Sequence, residues 1–137
     1  MKKFKLSKLL IVSSLLILSL FSLSGCNKTD AEVPEFSNIK GDEAKKIINE
    51  NKDIVILDVR TVEEYNEGHI KGAINIPVDE LENRLDDLKD YKEKMILVYC
   101  KSGNRSSKAS KTLAFNGFKQ VVNMEDGVGE YNYDLVN

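Results

Sequence analysis

Four short apolar runs constrain this chain most: "IVILDV" (54–59), "AINI" (73–76), "MILVY" (95–99) and "VVN" (121–123). They are rich in β-branched residues and nearly free of alternation, as strands are when both faces of their sheet are covered. The segments between and before them carry helical spacing instead. Ala44, Ile47 and Ile48 form one stripe, Val78, Leu81, Leu85 and Leu88 a second, and Ala109 and Leu113 a third. Strands that alternate with helices indicate a parallel sheet with helices packed on its faces, an α/β domain. No internal repeat or low-complexity segment interrupts residues 37–137.

The N terminus reads differently. Lys2, Lys3, Lys5 and Lys8 precede the apolar stretch "LLIVSSLLILSLF" (9–21), and "LSGC" (23–26) follows. A basic start, a short apolar run and small residues at its end describe an export signal. The run falls short of the ~20 residues a membrane-spanning helix needs. Leu-Ser-Gly-Cys resembles the lipobox of bacterial lipoproteins, which implies cleavage after residue 25 and lipid on the Cys26 sulfur. Residues 1–25 are therefore expected to be a signal peptide and 26–36 a flexible, lipid-anchored tether. The domain itself, 37–137, would lie outside the cytoplasm, held to the membrane.

The full chain has 20 basic and 22 acidic residues, and residues 1–25 hold four of the lysines and no acid. The mature net charge is then about −6, which argues against nucleic acid or an anionic membrane surface as the main partner. With Cys26 lipidated, Cys100 has no partner. An unpaired thiol in an exported protein is either a buried bystander or a reactive group. One free cysteine and one histidine are too few soft ligands for a zinc or iron–sulfur site. Neither a metal nor another cofactor is expected.

"CKSGNRS" (100–106) follows the run "MILVY" directly, at the carboxyl end of a strand, where open α/β sheets bind ligands. Gly103 permits a tight turn, and a helix is expected from about Arg105 or Ser106, with Ser106 or Ser107 as its cap. Convergent amides at a helix N terminus form an anion cradle, and a sulfur held there becomes more acidic than a free thiol. No acidic residue lies between Cys100 and Met124, whereas Lys101, Arg105, Lys108, Lys111 and Lys119 do. The three distal lysines read equally well as a solvated face.

This loop resembles the active-site loop of the rhodanese (thiosulfate sulfurtransferase) homology domain, single-domain bacterial type. "LDVRTVEEYNEGHIKGAINIP" (57–77) is similar to the family's other hallmark segment, and the likeness runs over about residues 37–133. It implies a rhodanese-like α/β fold, a parallel five-stranded sheet flanked by helices on both faces. It also implies that Cys100 is a nucleophile carrying a persulfide. The amides of Lys101, Ser102, Gly103, Asn104 and Arg105 would hold that persulfide, and Arg105 would orient an anionic donor. The expected reaction moves a sulfane sulfur from thiosulfate, a polysulfide or a persulfide to a thiol or cyanide. A carrier or sensor that delivers sulfur to a partner protein is the alternative. A phosphatase or arsenate reductase is disfavoured, because those related loops have five residues between cysteine and arginine and this one has four.

Further positions invite assignment. Asp58 and Arg60, at the end of the first apolar run, read as a strand-end ion pair or as support for the site, and Ser106 reads as support for the site. His69, the only histidine, fits a structural role at a strand entry better than a general base. "EDGVGEY" (125–131) departs from the family pattern: Asp126 stands where a glycine is usual and Tyr131 where a tryptophan is. Asp126 is expected to add negative charge at the pocket rim, and the last helix to be short.

Overall fold

A computed structural model describes residues 35–129 and 134–137. The expected signal peptide (1–25), Cys26, residues 27–34 of the expected tether and Tyr131 lie outside these residues. Phe36, assigned to the tether, packs against the core, so the domain begins one residue earlier than expected.

In chain order the elements are β1 (Ser37–Ile39), α1 (Gly41–Glu50), β2 (Val55–Asp58), α2 (Val62–Glu67), β3 (His69–Ile70) and β4 (Ile74–Asn75). A 3₁₀ segment (Leu81–Tyr91), β5 (Met95–Tyr99), α3 (Asn104–Phe115), β6 (Gln120–Met124) and β7 (Leu135–Val136) follow. The five-stranded sheet has the order β1-β6-β5-β2-β4, and every pairing in it is parallel. The central position of β5 explains its composition. Ile96, Leu97, Val98 and Tyr99 are all fully buried, since neither face meets water.

Alternation along β5 sorts the core into two layers. Ile96, Val98 and Cys100 point to one side, packed with Leu81 and Leu88 of the 3₁₀ segment and Ala109 and Leu113 of α3. Leu97 and Tyr99 point to the other, with Ala44 and Ile47 of α1 and Tyr65 of α2. Helices thus cover both faces of the sheet. Side-chain period 2 also decides that Cys100 faces α3, the helix its own loop begins.

Several local expectations change. The stripe Val78–Leu88 is helical, but as a 3₁₀ segment broken at Arg84 (φ −121°, ψ 17°) rather than as one α-helix. β1, with only Ile39 buried, is too short and polar to stand out as a strand; it forms because its backbone pairs with β6. α2 also went unpredicted, having no buried residue of its own. Its start is fixed by a capping box: Thr61 Oγ1 accepts from the Glu64 amide, and Glu64 Oε2 accepts from the Thr61 amide. After β6 the described residues hold a turn (125–129) and β7, which pairs antiparallel with β3; no terminal helix is present among them. Among the described residues no helix is long and apolar enough to cross a membrane.

Candidate active site

The loop after β5 folds back over its own first residue. Gly103 is the N-cap of α3 with φ +87°, and the helix starts at Asn104. The helix therefore begins earlier than the sequence suggests, and neither serine is its cap. Ser106 sits within the first turn, where its hydroxyl donates to the Gly103 carbonyl at 3.0 Å. The left-handed turn at Gly103 replaces a side-chain cap by aiming amides inward.

Those amides meet at the sulfur. Cys100 Sγ accepts from the Gly103 amide at 3.1 Å and from the Ser106 amide at 3.4 Å, and Ser106 Oγ lies 3.5 Å away. The Ser102 amide contributes as well. The cradle around Sγ is thus built from residues 102, 103 and 106, so it closes one residue beyond the expected span. Cys100 is only 1% exposed, and burial, the largest single influence, pushes its thiol up. The Ser106 hydroxyl and the amides of Ser106, Ser102 and Gly103 together outweigh burial and hold the thiol below its ordinary range. One side of the side chain packs on the core, while the sulfur itself faces polar donors.

A second loop buttresses the first. The Val128 and Gly129 amides donate to the carbonyls of Cys100 and Lys101 at 2.9 and 2.8 Å. The approach is so close that a Cβ on Gly127 (φ +64°) would lie 2.4 Å from the Lys101 carbonyl carbon. A Cβ on Gly103 would lie 1.8 Å from the Glu125 carbonyl oxygen. Gly103→Ala is therefore expected to cost more than about 2 kcal/mol, from the left-handed φ and the backbone displacement together. Urea denaturation midpoints measure it; a loss below about 0.5 kcal/mol would mean that the two loops are not locked.

Arg105 is not free. Its Nη1 and Nη2 donate to both Glu64 carboxylate oxygens, at 2.6 and 2.9 Å, and both side chains are partly exposed. Arg105 holds the Glu64 carboxyl down to about 2, well below its usual value. The guanidinium also bears on Cys100, so the ion pair stands beside the sulfur. Glu64 was missed from the sequence. Its signal was the Thr61-x-x-Glu64 capping spacing, but nothing in the sequence tied α2 to the loop 41 residues away.

The other named residues sort into scaffold and surface. Asp58 and Arg60 form a buried ion pair, with Arg60 Nη2 2.6 Å from Asp58 Oδ2 and 2.7 Å from the Gly68 carbonyl. Arg60 also lies over the Tyr99 ring. The pair ties β2 to the start of β3, which favours the ion-pair reading for both residues. His69 Nδ1 is 3.0 Å from the Tyr65 carbonyl, and its ring stacks on Tyr65. Asp126 does not present a free charge at the rim: its carboxylate accepts from the Gly41 amide at 3.0 and 3.1 Å, capping α1, whose N-cap residue Lys40 offers no side-chain cap. Lys101 and Asn104 side chains are exposed, and so are Lys108, Lys111 and Lys119. Lys108 stands 3.9 Å from Asp79 and Lys111 lies over Phe115, as on a solvated face.

Residues 40–134 match the family model described as Rhodanese-like domain. The chain belongs to the rhodanese-like family. It is 33% identical over 115 residues to the putative sulfur carrier protein YrkF of Bacillus subtilis, covering 84% of this chain and 61% of that protein. It is 40% identical over 97 residues to the tRNA uridine(34) hydroxylase of Buchnera aphidicola, covering 66% of this chain but only 31% of the relative. The chain thus spans less than two thirds of the length of either relative. Among solved structures, a rhodanese-like domain protein from Staphylococcus aureus superposes with a TM-score of 0.64 at 34% identity, covering 74% of this chain and 97% of that one.

Proposed function

We propose that this rhodanese-like chain is a sulfurtransferase that carries sulfane sulfur on Cys100. The observation that carries the reading is the sulfur's position: Sγ is met by the amides of Gly103 and Ser106 and by the Ser106 hydroxyl, at the N terminus of α3 beside Arg105. The Cys100 thiolate attacks the outer sulfur of thiosulfate, a polysulfide or a persulfide, as in thiol–disulfide exchange. With thiosulfate, Cys–S⁻ and S–SO₃²⁻ give Cys–S–S⁻ and SO₃²⁻, so charge balances without a proton transfer. The amides stabilise the persulfide anion as preorganised dipoles. A thiol or cyanide then takes the outer sulfur, completing a cycle through a covalent intermediate. The residues of the loop, Lys101 to Ser106, are the binding element in this reading.

The likeness to a protein named a putative sulfur carrier favours a second reading, in which Cys100 hands its sulfur to a partner protein without efficient turnover on cyanide. The location belongs to the proposal too: export, lipid on Cys26 and a domain held outside the cytoplasm. The test is intact mass spectrometry of the protein after incubation with thiosulfate or a polysulfide. One added sulfur atom, removed by cyanide, is expected. No gain with any sulfane donor would refute both readings, and loading without cyanolysis would select the carrier.

A further inference from the structure

Resting on the sulfurtransferase reading, we infer that Glu64 sets donor specificity: by filling the Arg105 fork it favours hydropersulfides and polysulfides over donors with an oxyanion head such as thiosulfate. A guanidinium beside a reactive sulfur would ordinarily grip a sulfonate with two parallel hydrogen bonds. Here both terminal nitrogens are already taken by the two Glu64 oxygens, at 2.6 and 2.9 Å. Glu64 is itself held in place. Its Oε2 accepts from the Thr61 amide at 3.0 Å, so the carboxylate that blocks the fork is fixed by the cap of α2. With its carboxyl at about 2, Glu64 stays ionised at any ordinary pH, and the pair adds no net charge beside Cys100.

The two donor classes need different things from this site. In thiosulfate the sulfonate leaves as SO₃²⁻ and must be held at the mouth while Cys100 attacks the outer sulfur. A hydropersulfide has no such head: Cys–S⁻ and R–S–SH give Cys–S–SH and R–S⁻, the proton staying on the transferred sulfur. The amide cradle serves both, and only thiosulfate loses a binding partner to Glu64. Glu64 thus acts through Arg105, as a positioning residue for the donor.

Second-order rate constants for sulfur loading of the full-length protein, read by rapid-quench mass spectrometry with thiosulfate and with an uncharged alkyl hydropersulfide, test this. Glu64→Gln keeps an oxygen for the Thr61 amide and removes the negative charge that faces Arg105. It should raise the thiosulfate-to-persulfide ratio about tenfold, the effect of roughly one unmasked charge at a partly exposed site, and added salt should shrink the gain. The double variant Glu64→Gln/Arg105→Gln should bring the ratio back to within about threefold of wild type. An unchanged or lower ratio in Glu64→Gln, or equal slowing with both donors, overturns the inference while leaving the sulfurtransferase reading intact. Failure of wild type to load from either donor would instead remove the reading on which it rests.

Discussion

Cys100→Ser is expected to abolish sulfur loading and to lower any sulfur-transfer rate by more than about a thousandfold, the scale on which removal of a nucleophile acts. The reason is specific to the chemistry. A serine hydroxyl fits the same cradle, but it has no accessible anion near neutral pH and cannot form the sulfur–sulfur bond that stores the intermediate. The fold should be kept, because Cys100 contributes one small side chain to a layer built by Val55, Leu57, Ile96, Val98 and Leu113. Circular dichroism and denaturant midpoints should therefore match wild type closely, while the adduct is missing from the mass spectrum. A Cys100→Ser protein that still gained sulfur would place the acceptor elsewhere in the chain.

Arg60→Ala carries the largest expected loss of stability. Asp58 is completely buried, and Arg60 neutralises it through three side-chain hydrogen bonds at 2.6 to 3.1 Å. Removing the guanidinium strands a carboxylate between β2 and the α2–β3 connection, and such breaks cost about 3–5 kcal/mol. It also orphans the Gly68 carbonyl that Arg60 satisfies. A double change, Asp58→Asn with Arg60→Met, leaves no charge behind and should recover much of the loss, since replacing a buried pair is milder than breaking it. Urea unfolding with an unchanged slope measures both. An Arg60→Ala loss under about 1 kcal/mol would mean that water or another cation reaches Asp58.

How much of this was legible in the sequence depends on what each feature requires. The central strands were visible because β5 and β2 are buried on both faces and are apolar but for Asp58, which ends β2 in its ion pair. β1 and α2 were not, because their places depend on partners: β1 on its backbone pairing with β6, α2 on the capping box and the Arg105 contact. The glycine turn pointed to convergent amides at Cys100, but which amides reach Sγ depends on a left-handed Gly103 starting the helix one or two residues early. Two contacts between distant residues were out of reach. Asp126 reads as a charge at the rim until its carboxylate is found on the Gly41 amide, 85 residues away. Arg105 reads as a free donor clamp until Glu64 is found closing it.

The charge state of one sulfur decides the chemistry, and the pH dependence of Cys100 alkylation reports it. In a Cys26→Ser protein Cys100 is the sole thiol, and its rate with iodoacetamide follows the thiolate fraction. A midpoint clearly below the ~8.5 of free cysteine is predicted, because the amides and the Ser106 hydroxyl outweigh burial, with reactivity lost as pH falls through that midpoint. A midpoint at or above the free-cysteine value would contradict it, since burial would then have won and Cys100 would be an inert core residue.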